Sequence, residues 1–221
     1  NVIIQKRKQQ RLFPAIFPKN TEVLKNFYRL SIGKTERIAG RFSQLVVLTP
    51  IDDFRYFYYF WLDKKSFLPL KMVVADQSEN IIEQASFTQV NMIKDENLDW
   101  FKPDVDPSKN YIFDDGVIGQ GIVKNRFWTI KKIPPGYKEV DFITKRISGL
   151  NILSYQLVFS DGLSYISIFI KPIPRGQKPK IGQVSLGANN ICARYQGGYQ
   201  IMAVGSVPLI TCNKFSESIE F

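Results

Sequence analysis

The chain holds few residues able to do covalent or acid–base chemistry, and their settings point elsewhere. It has no histidine among its 221 residues. Ser-His-Asp and Cys-His machinery, His-ligated zinc and imidazole acid–base work are therefore excluded. Three carboxylate pairs could in principle share a proton or a cation: Asp52-Asp53, Asp95-Glu96 and Asp114-Asp115. Each lies in a stretch that reads as a turn, where Asp bonds its own backbone. Gly116-x-x-Gly119-x-Gly121 is glycine-rich, but no helix pattern follows it, so it lacks the context of a phosphate loop. Ser160-Asp161-Gly162 reads as a hairpin turn. Two cysteines cannot build a four-cysteine zinc site. Cys192 and Cys212 are either one disulfide of an oxidising compartment or two small buried apolar residues. The sequence therefore implies no cofactor and no metal, and points to binding rather than catalysis.

The densest binding candidate is Arg55-Tyr56-Phe57-Tyr58-Tyr59-Phe60-Trp61-Leu62-Asp63. A strand this aromatic must have both faces occupied. Tyr56, Tyr58, Phe60 and Leu62 share one face, and Phe57, Tyr59 and Trp61 the other. Either both faces pack, or one lines a ligand groove in a curved open sheet.

Charge supplies the second candidate. The net charge is +10, unevenly placed. Residues 1–41 hold ten Lys/Arg against Glu22 and Glu36, and Lys171, Arg175, Lys178, Lys180 and Arg194 occur in 171–194 with no acid. Two basic patches suit anionic partners or a solvated surface. The aromatic strand lies in the charge-neutral middle, which argues against nucleic acid.

The elements that must position these residues are mostly strands. Asn20 or Thr21 can cap a short helix after the proline-broken segment Leu12–Pro18, which packs on the sheet. Turn-punctuated runs then follow at Tyr28–Ile38 with a kink at Gly33, Phe42–Thr49, Arg55–Leu62, Leu68–Ala75 and Ile81–Val90. They describe an antiparallel up-and-down sheet. From Ile93 to Lys124 the pattern dissolves, which places a boundary there: residues 1–98, a linker over 99–125, and 126–221. The second block reads as strands at Phe127–Lys132, Lys138–Arg146, Leu153–Phe159, Leu163–Ile170, Gln183–Leu186, Asn190–Tyr195 and Tyr199–Val204. A helix over Leu209–Ile219 follows, with Pro208 at its first position. No apolar run is long enough for a membrane helix. A start at Asn1, without Met or leader, reads as a mature product or fragment.

Taken in order, these residues resemble the MucB/RseB family, periplasmic regulators of the envelope-stress sigma factor. The resemblance rests on Leu12-Phe13-Pro14-Ala15-Ile16-Phe17-Pro18, Tyr28-Arg29-Leu30 with Gly33 through Arg41, and Arg55-Tyr56 through Asp63. Leu68-Pro69-Leu70-Lys71 and Glu83 through Phe87 continue it. In the second block it is carried by Pro134-Pro135-Gly136-Tyr137, Phe159-Ser160-Asp161-Gly162-Leu163 and Val204-Gly205-Ser206-Val207-Pro208. Ser206 stands where the family usually has an acid, and the resemblance carries over no disulfide for the cysteine pair. The resemblance implies a mainly β (α+β) fold. Its first part is a curved, unclosed antiparallel half-barrel similar to lipoprotein carriers, here without its opening portion; a smaller antiparallel sheet with one C-terminal helix follows. It implies a non-enzymatic periplasmic protein, peripheral to the inner membrane through its partner. That partner is the periplasmic domain of an anti-sigma factor, shielded from regulated proteolysis and released by lipopolysaccharide or lipoprotein; self-association is left open. On this footing Tyr56, Tyr58, Phe60 and Leu62 are expected to face lipid, and Lys171, Arg175, Lys178 and Lys180 an anionic partner. A periplasmic lipid or lipoprotein carrier is the alternative.

Overall fold

The computed structural model describes residues 2–4, 13–18, 21–92, 97, 99, 111–113, 126–147, 152–174 and 176–221. The elements, in chain order, begin with β1 (Val2–Ile4), a 3-10 helix (Thr21–Asn26), β2 (Tyr28–Ile38), β3 (Arg41–Pro50), β4 (Phe57–Asp63), β5 (Pro69–Ala75), β6 (Ile81–Ser86) and β7 (Tyr111–Phe113). The second block contains β8 (Thr129–Ile130), β9 (Lys138–Ile147), β10 (Ile152–Ser160), β11 (Tyr165–Pro172), β12 (Gly182–Leu186), β13 (Asn189–Gln196), β14 (Tyr199–Gly205), α1 (Leu209–Glu217) and β15 (Ile219–Glu220).

The first sheet is an antiparallel meander in the order β2-β3-β4-β5-β6. Its connections are short because the turn residues sit where the chain must reverse: Ala39 and Gly40 both adopt positive φ between β2 and β3. The kink at Gly33 is a register shift between Ile32 and Thr35 inside one long strand, so β2 bends without breaking. The predicted helix at Thr21 is a single 3-10 segment. The proline-broken segment packs on the sheet as its composition implies: Ile16 is buried, and Phe13 and Phe17 lie against the same core.

The second sheet has the order β12-β13-β14-β11-β10-β9, all antiparallel. The Asp161-Gly162 turn joins β10 to β11, with Gly162 at φ +104°. Helix α1 packs over this sheet, and Cys212 and Phe215 are fully buried within it. The core gathers Leu157, Phe159, Ile166, Ile168, Ile170, Ile201 and Ala203 under Phe215 and Ile219. Pro208 is the N-cap of α1 rather than its first helical residue; with φ −53° and ψ 150° it leads in as extended backbone. The predicted strand at Phe127–Lys132 shortens to the two residues of β8, which pair with β15 after the helix. A second unforeseen pairing is the parallel match of β1 with β7, inside the stretch read as connector.

Gly205 ends β14 where the chain passes close to β11. A Cβ there would sit 2.4 Å from the Tyr165 carbonyl oxygen and 2.7 Å from the Ile166 Cα. Both obstacles are backbone and cannot rotate away. Gly205→Ala is expected to destabilise the chain by about 1–3 kcal/mol, measured as a lowered urea midpoint at unchanged slope. An unchanged midpoint would mean that the β11–β14 pairing is looser than described.

Candidate functional site

The aromatic strand β4 divides its faces unequally. Tyr58 and Phe60 are buried, with Phe60 at 0% exposure, and Tyr56 just before the strand is buried with them. Leu62 is half-buried on the same core. The Phe17 ring lies 4.6 Å from the Phe60 ring, Tyr58 stacks parallel to Phe60 at 5.9 Å, and Tyr28 meets Tyr58 edge-on at 6.2 Å. The residues expected to face lipid are therefore covered by protein here, namely by Ile16, Phe17 and Leu24. The covering segment lies far from β4 in sequence, which is why alternation alone left the two faces equal.

The opposite face is the wetter one. Phe57 and Tyr59 are half-buried, while Trp61 is buried. Its indole N–H donates to Glu36 at 2.7 Å, and the Lys71 ammonium lies 4.5 Å from the ring centroid. Asp63 closes the strand, accepting from Arg41 at 2.9 and 3.0 Å and from Ser66. The hydrogen bond from Arg41, aided by those from Ser66, holds its carboxyl well below the usual range.

The end of β4 that begins at Arg55 joins the two sheets. Arg55 is 1% exposed. Its Nε donates to Asp161 at 2.9 Å, Nη1 to Asp52 and Nη2 to the Pro135 carbonyl, both at 2.5 Å. The guanidinium also lies 4.4 Å from the Phe27 ring centroid. Burial works against this charge, but Asp161, Tyr137 and Asp52 outweigh it and lift the pKa. Asp161 completes its shell with Tyr28 Oη at 3.2 Å and the backbone N–H groups of Leu163 and Ser164. Around this pair, Tyr56 donates to the Val207 carbonyl at 3.0 Å and accepts from Asn190 at 2.9 Å. Tyr137 and Thr211 both donate to the Phe54 carbonyl.

The Asp161 turn thus does more than reverse the chain, and Asp52 caps the Phe54 N–H while pairing Arg55. Gly136 shows how tight the junction is. It sits at φ +84°, and a Cβ there would lie 2.3 Å from Phe27 and 2.7 Å from Arg55 Nη2. Leu163 and Ala188, both from the second block, complete the core of the first.

The basic loop is distributed differently. Lys171, Lys178 and Lys180 are exposed, while Arg175 lies outside the described residues. Lys171 is the cross-strand partner of Gln200, whose side-chain amide clamps the Lys180 backbone at both N and O at 2.7 Å. Two of the expected cations are thereby fixed beside one residue. Cys192 and Cys212 are free, buried thiols. Burial pushes both up from the ordinary thiol range. Among the described residues no group of acidic or thiol side chains is arranged to hold a metal ion, and no helix is long and apolar enough to cross a membrane.

Two unclosed antiparallel sheets, locked together by a buried arginine and followed by one C-terminal helix, define a two-domain, mainly β protein. The chain belongs to the MucB/RseB family: the MucB/RseB N-terminal domain matches residues 1–105 and the C-terminal domain residues 123–220. It is 27% identical over 205 residues to the sigma factor AlgU regulatory protein MucB of Pseudomonas aeruginosa, covering 89% of this chain and 61% of that protein. To the sigma-E factor regulatory protein RseB of Haemophilus influenzae it is 26% identical over 218 residues, covering 94% and 64%. The chain therefore spans less than two thirds of the length of these relatives. A solved structure of MucB in complex with MucA(peri) superposes with a TM-score of 0.73 at 25% identity, over 91% of this chain and 70% of that one. The Pseudomonas aeruginosa MucA/MucB complex superposes at 0.74 and 25% identity, over 91% and 67%.

Removing the Arg55 charge leaves Asp161 buried without its partner. Arg55→Met is expected to cost about 3–5 kcal/mol in urea unfolding, and Arg55→Met with Asp161→Asn to recover part of it. Full additivity of the two changes would dissolve the proposed pair. Alkali probes the tyrosines around it. Burial pushes Tyr56 up to about 12 and Tyr28 and Tyr58 well above the ordinary value. An unfolded Tyr ionises near pH ~10. The stability from keeping these hydroxyls neutral is thus complete below that pH and lost as pH rises past it. Tyrosinate absorbance at these sites is expected to grow in together with loss of near-UV ellipticity; titration of all tyrosines with the fold intact would contradict the burial.

Proposed function

We propose that this chain is part of a periplasmic negative regulator of a sigma-E-type envelope stress response. It binds the periplasmic region of an anti-sigma factor and occludes it from regulated proteolysis. The observation carrying this reading is that both family domains match in order and the fold superposes on MucB bound to MucA(peri). The mechanism is competitive binding, so none of its steps asks a side chain here to make or break a bond. The two sheets, tied by Arg55 and Asp161, supply a preorganised surface, which lowers the cost of ordering on association. Lys171, Lys178 and Lys180 add positive charge suited to an acidic partner segment or to lipid phosphates.

In this reading lipopolysaccharide or lipoprotein is the releasing signal. Its acyl chains reach Tyr58 and Phe60 by displacing Phe17, the ring nearest Phe60. Displacement of that segment would loosen the core to which Leu163 and Ala188 also belong, which links lipid entry to the junction. The same inner face would serve a lipid carrier, the reading from a different class. Titration calorimetry with MucA(peri) as probe separates the two. The regulator reading expects saturable binding, slower proteolysis of the probe and reversal by lipopolysaccharide. No binding and unchanged cleavage, with acyl-chain transfer between vesicles, would establish the carrier instead.

A further inference from the structure

Among the described residues, β12 is an edge without the protection that the other outer strands carry. Natural sheets guard their outer strands with charges, prolines or bulges, because an open row of N–H and C=O groups accepts a further strand. Of the four outer strands of the two larger sheets, β2 carries Arg29, Lys34 and Glu36 and is bulged at Gly33. β6 contains Glu83 and its pairing shifts between Val74 and Ala75. β9 carries Lys138, Glu139 and Asp141, and its pairing shifts between Val158 and Phe159. β12, Gly182-Gln183-Val184-Ser185-Leu186, has neither charge nor proline, and its five pairs with β13 run without a register shift.

Its side chains are sorted by face. Gln183 donates to Asn213 of α1 at 2.9 Å, and Ser185 bonds Asn190, so these two point toward the helix side. Val184 and Leu186 alternate with them and are 53% and 67% exposed. Ile181, just ahead of the strand, is 73% exposed. Exposed Lys178 and Lys180 lie immediately before, and residues 171–194 contain no acid. A second copy docking on this edge would bring like charges together. An extended segment carrying Asp or Glu beside alternating apolar residues would meet complementary charge and two apolar contacts.

We infer that the open edge of β12 is a docking edge for an extended, acidic peptide segment, which adds to the sheet as a strand beyond β12. Main-chain hydrogen bonds hold the segment, Val184 and Leu186 select apolar residues at alternate positions, and Lys178 and Lys180 select for acids. This fixes an edge and a ligand chemistry, and it stands whether or not the ligand belongs to an anti-sigma factor.

The test is selection of a random dodecapeptide phage library on the full chain, followed by binding of the recovered synthetic peptides by fluorescence anisotropy. Expected are sequences with alternating apolar residues and Asp or Glu, weakened at least about tenfold by Val184→Glu with Leu186→Glu, which places edge-guarding charges of the peptide's own sign on exposed positions. Thermal unfolding of this variant is expected to match the parent. If it does not, Lys178→Glu with Lys180→Glu, which leaves the strand intact, must abolish the preference for acids. The inference is overturned by recovery of no peptides, by peptides that both variants bind like the parent, or by sedimentation showing that two copies pair through this edge.

Discussion

A full positive charge at Arg55 can reside in the interior only because Asp161 stands 2.9 Å from its Nε and three further groups receive or flank the rest of the guanidinium. A buried ion pair contributes little net stability, since desolvating both partners offsets their attraction. A closed junction that moved Arg55 away from Asp161 would leave two charges buried without partners. That constraint explains the local chemistry. Pro135 must offer its carbonyl, Gly136 must be without a Cβ, and Tyr28 must bring its hydroxyl to the Asp161 carboxylate. Within the segment Asp52–Arg55, Asp52 bonds the Phe54 N–H and the Arg55 guanidinium, while Gln77, Pro135, Tyr137, Asp161 and Thr211 bond it from elsewhere in the chain.

The hydrophobic contribution follows the same line. Leu163, at the end of the turn that carries Asp161, enters the core beneath Tyr28, Tyr58 and Phe60, and Ala188 joins it. The second core, under Phe215, is built from its own block. The dependence is thus asymmetric in apolar packing and mutual in hydrogen bonding. That division suits a surface shared between two sheets, because its geometry is set by directional bonds rather than by adaptable side chains.

Sequence reasoning succeeded where the determinants were local. The meander and the β10–β11 hairpin were legible because their reversals carry their own turn chemistry, as at Ala39-Gly40 and Asp161-Gly162, and the Gly33 kink became a bulge. The helix after Pro208 was legible from that proline, although it ends at Glu217 and Ile219 already belongs to β15. Contacts between distant residues were not. Nothing near Arg55 signals a partner 106 positions away, nor does Tyr56 signal Asn190. The choice of aromatic face depended on Phe17 and Leu24, which alternation within β4 cannot see. The pairs β8–β15 and β1–β7 escaped because two or three residues carry too little pattern to read.

The junction also changes what counts as near in this molecule. Along the chain, β4 and the Asp161 turn are separated by the whole stretch between the two family domains. In space they share one carboxylate. A displacement of the Asp161 loop cannot leave the start of the aromatic strand in place without stranding a charge, and the reverse holds equally. The sheets are thus tied by side-chain bonds, Arg55 and Tyr28 to Asp161 and Tyr56 to Asn190 and the Val207 carbonyl, between residues that lie far apart along the chain.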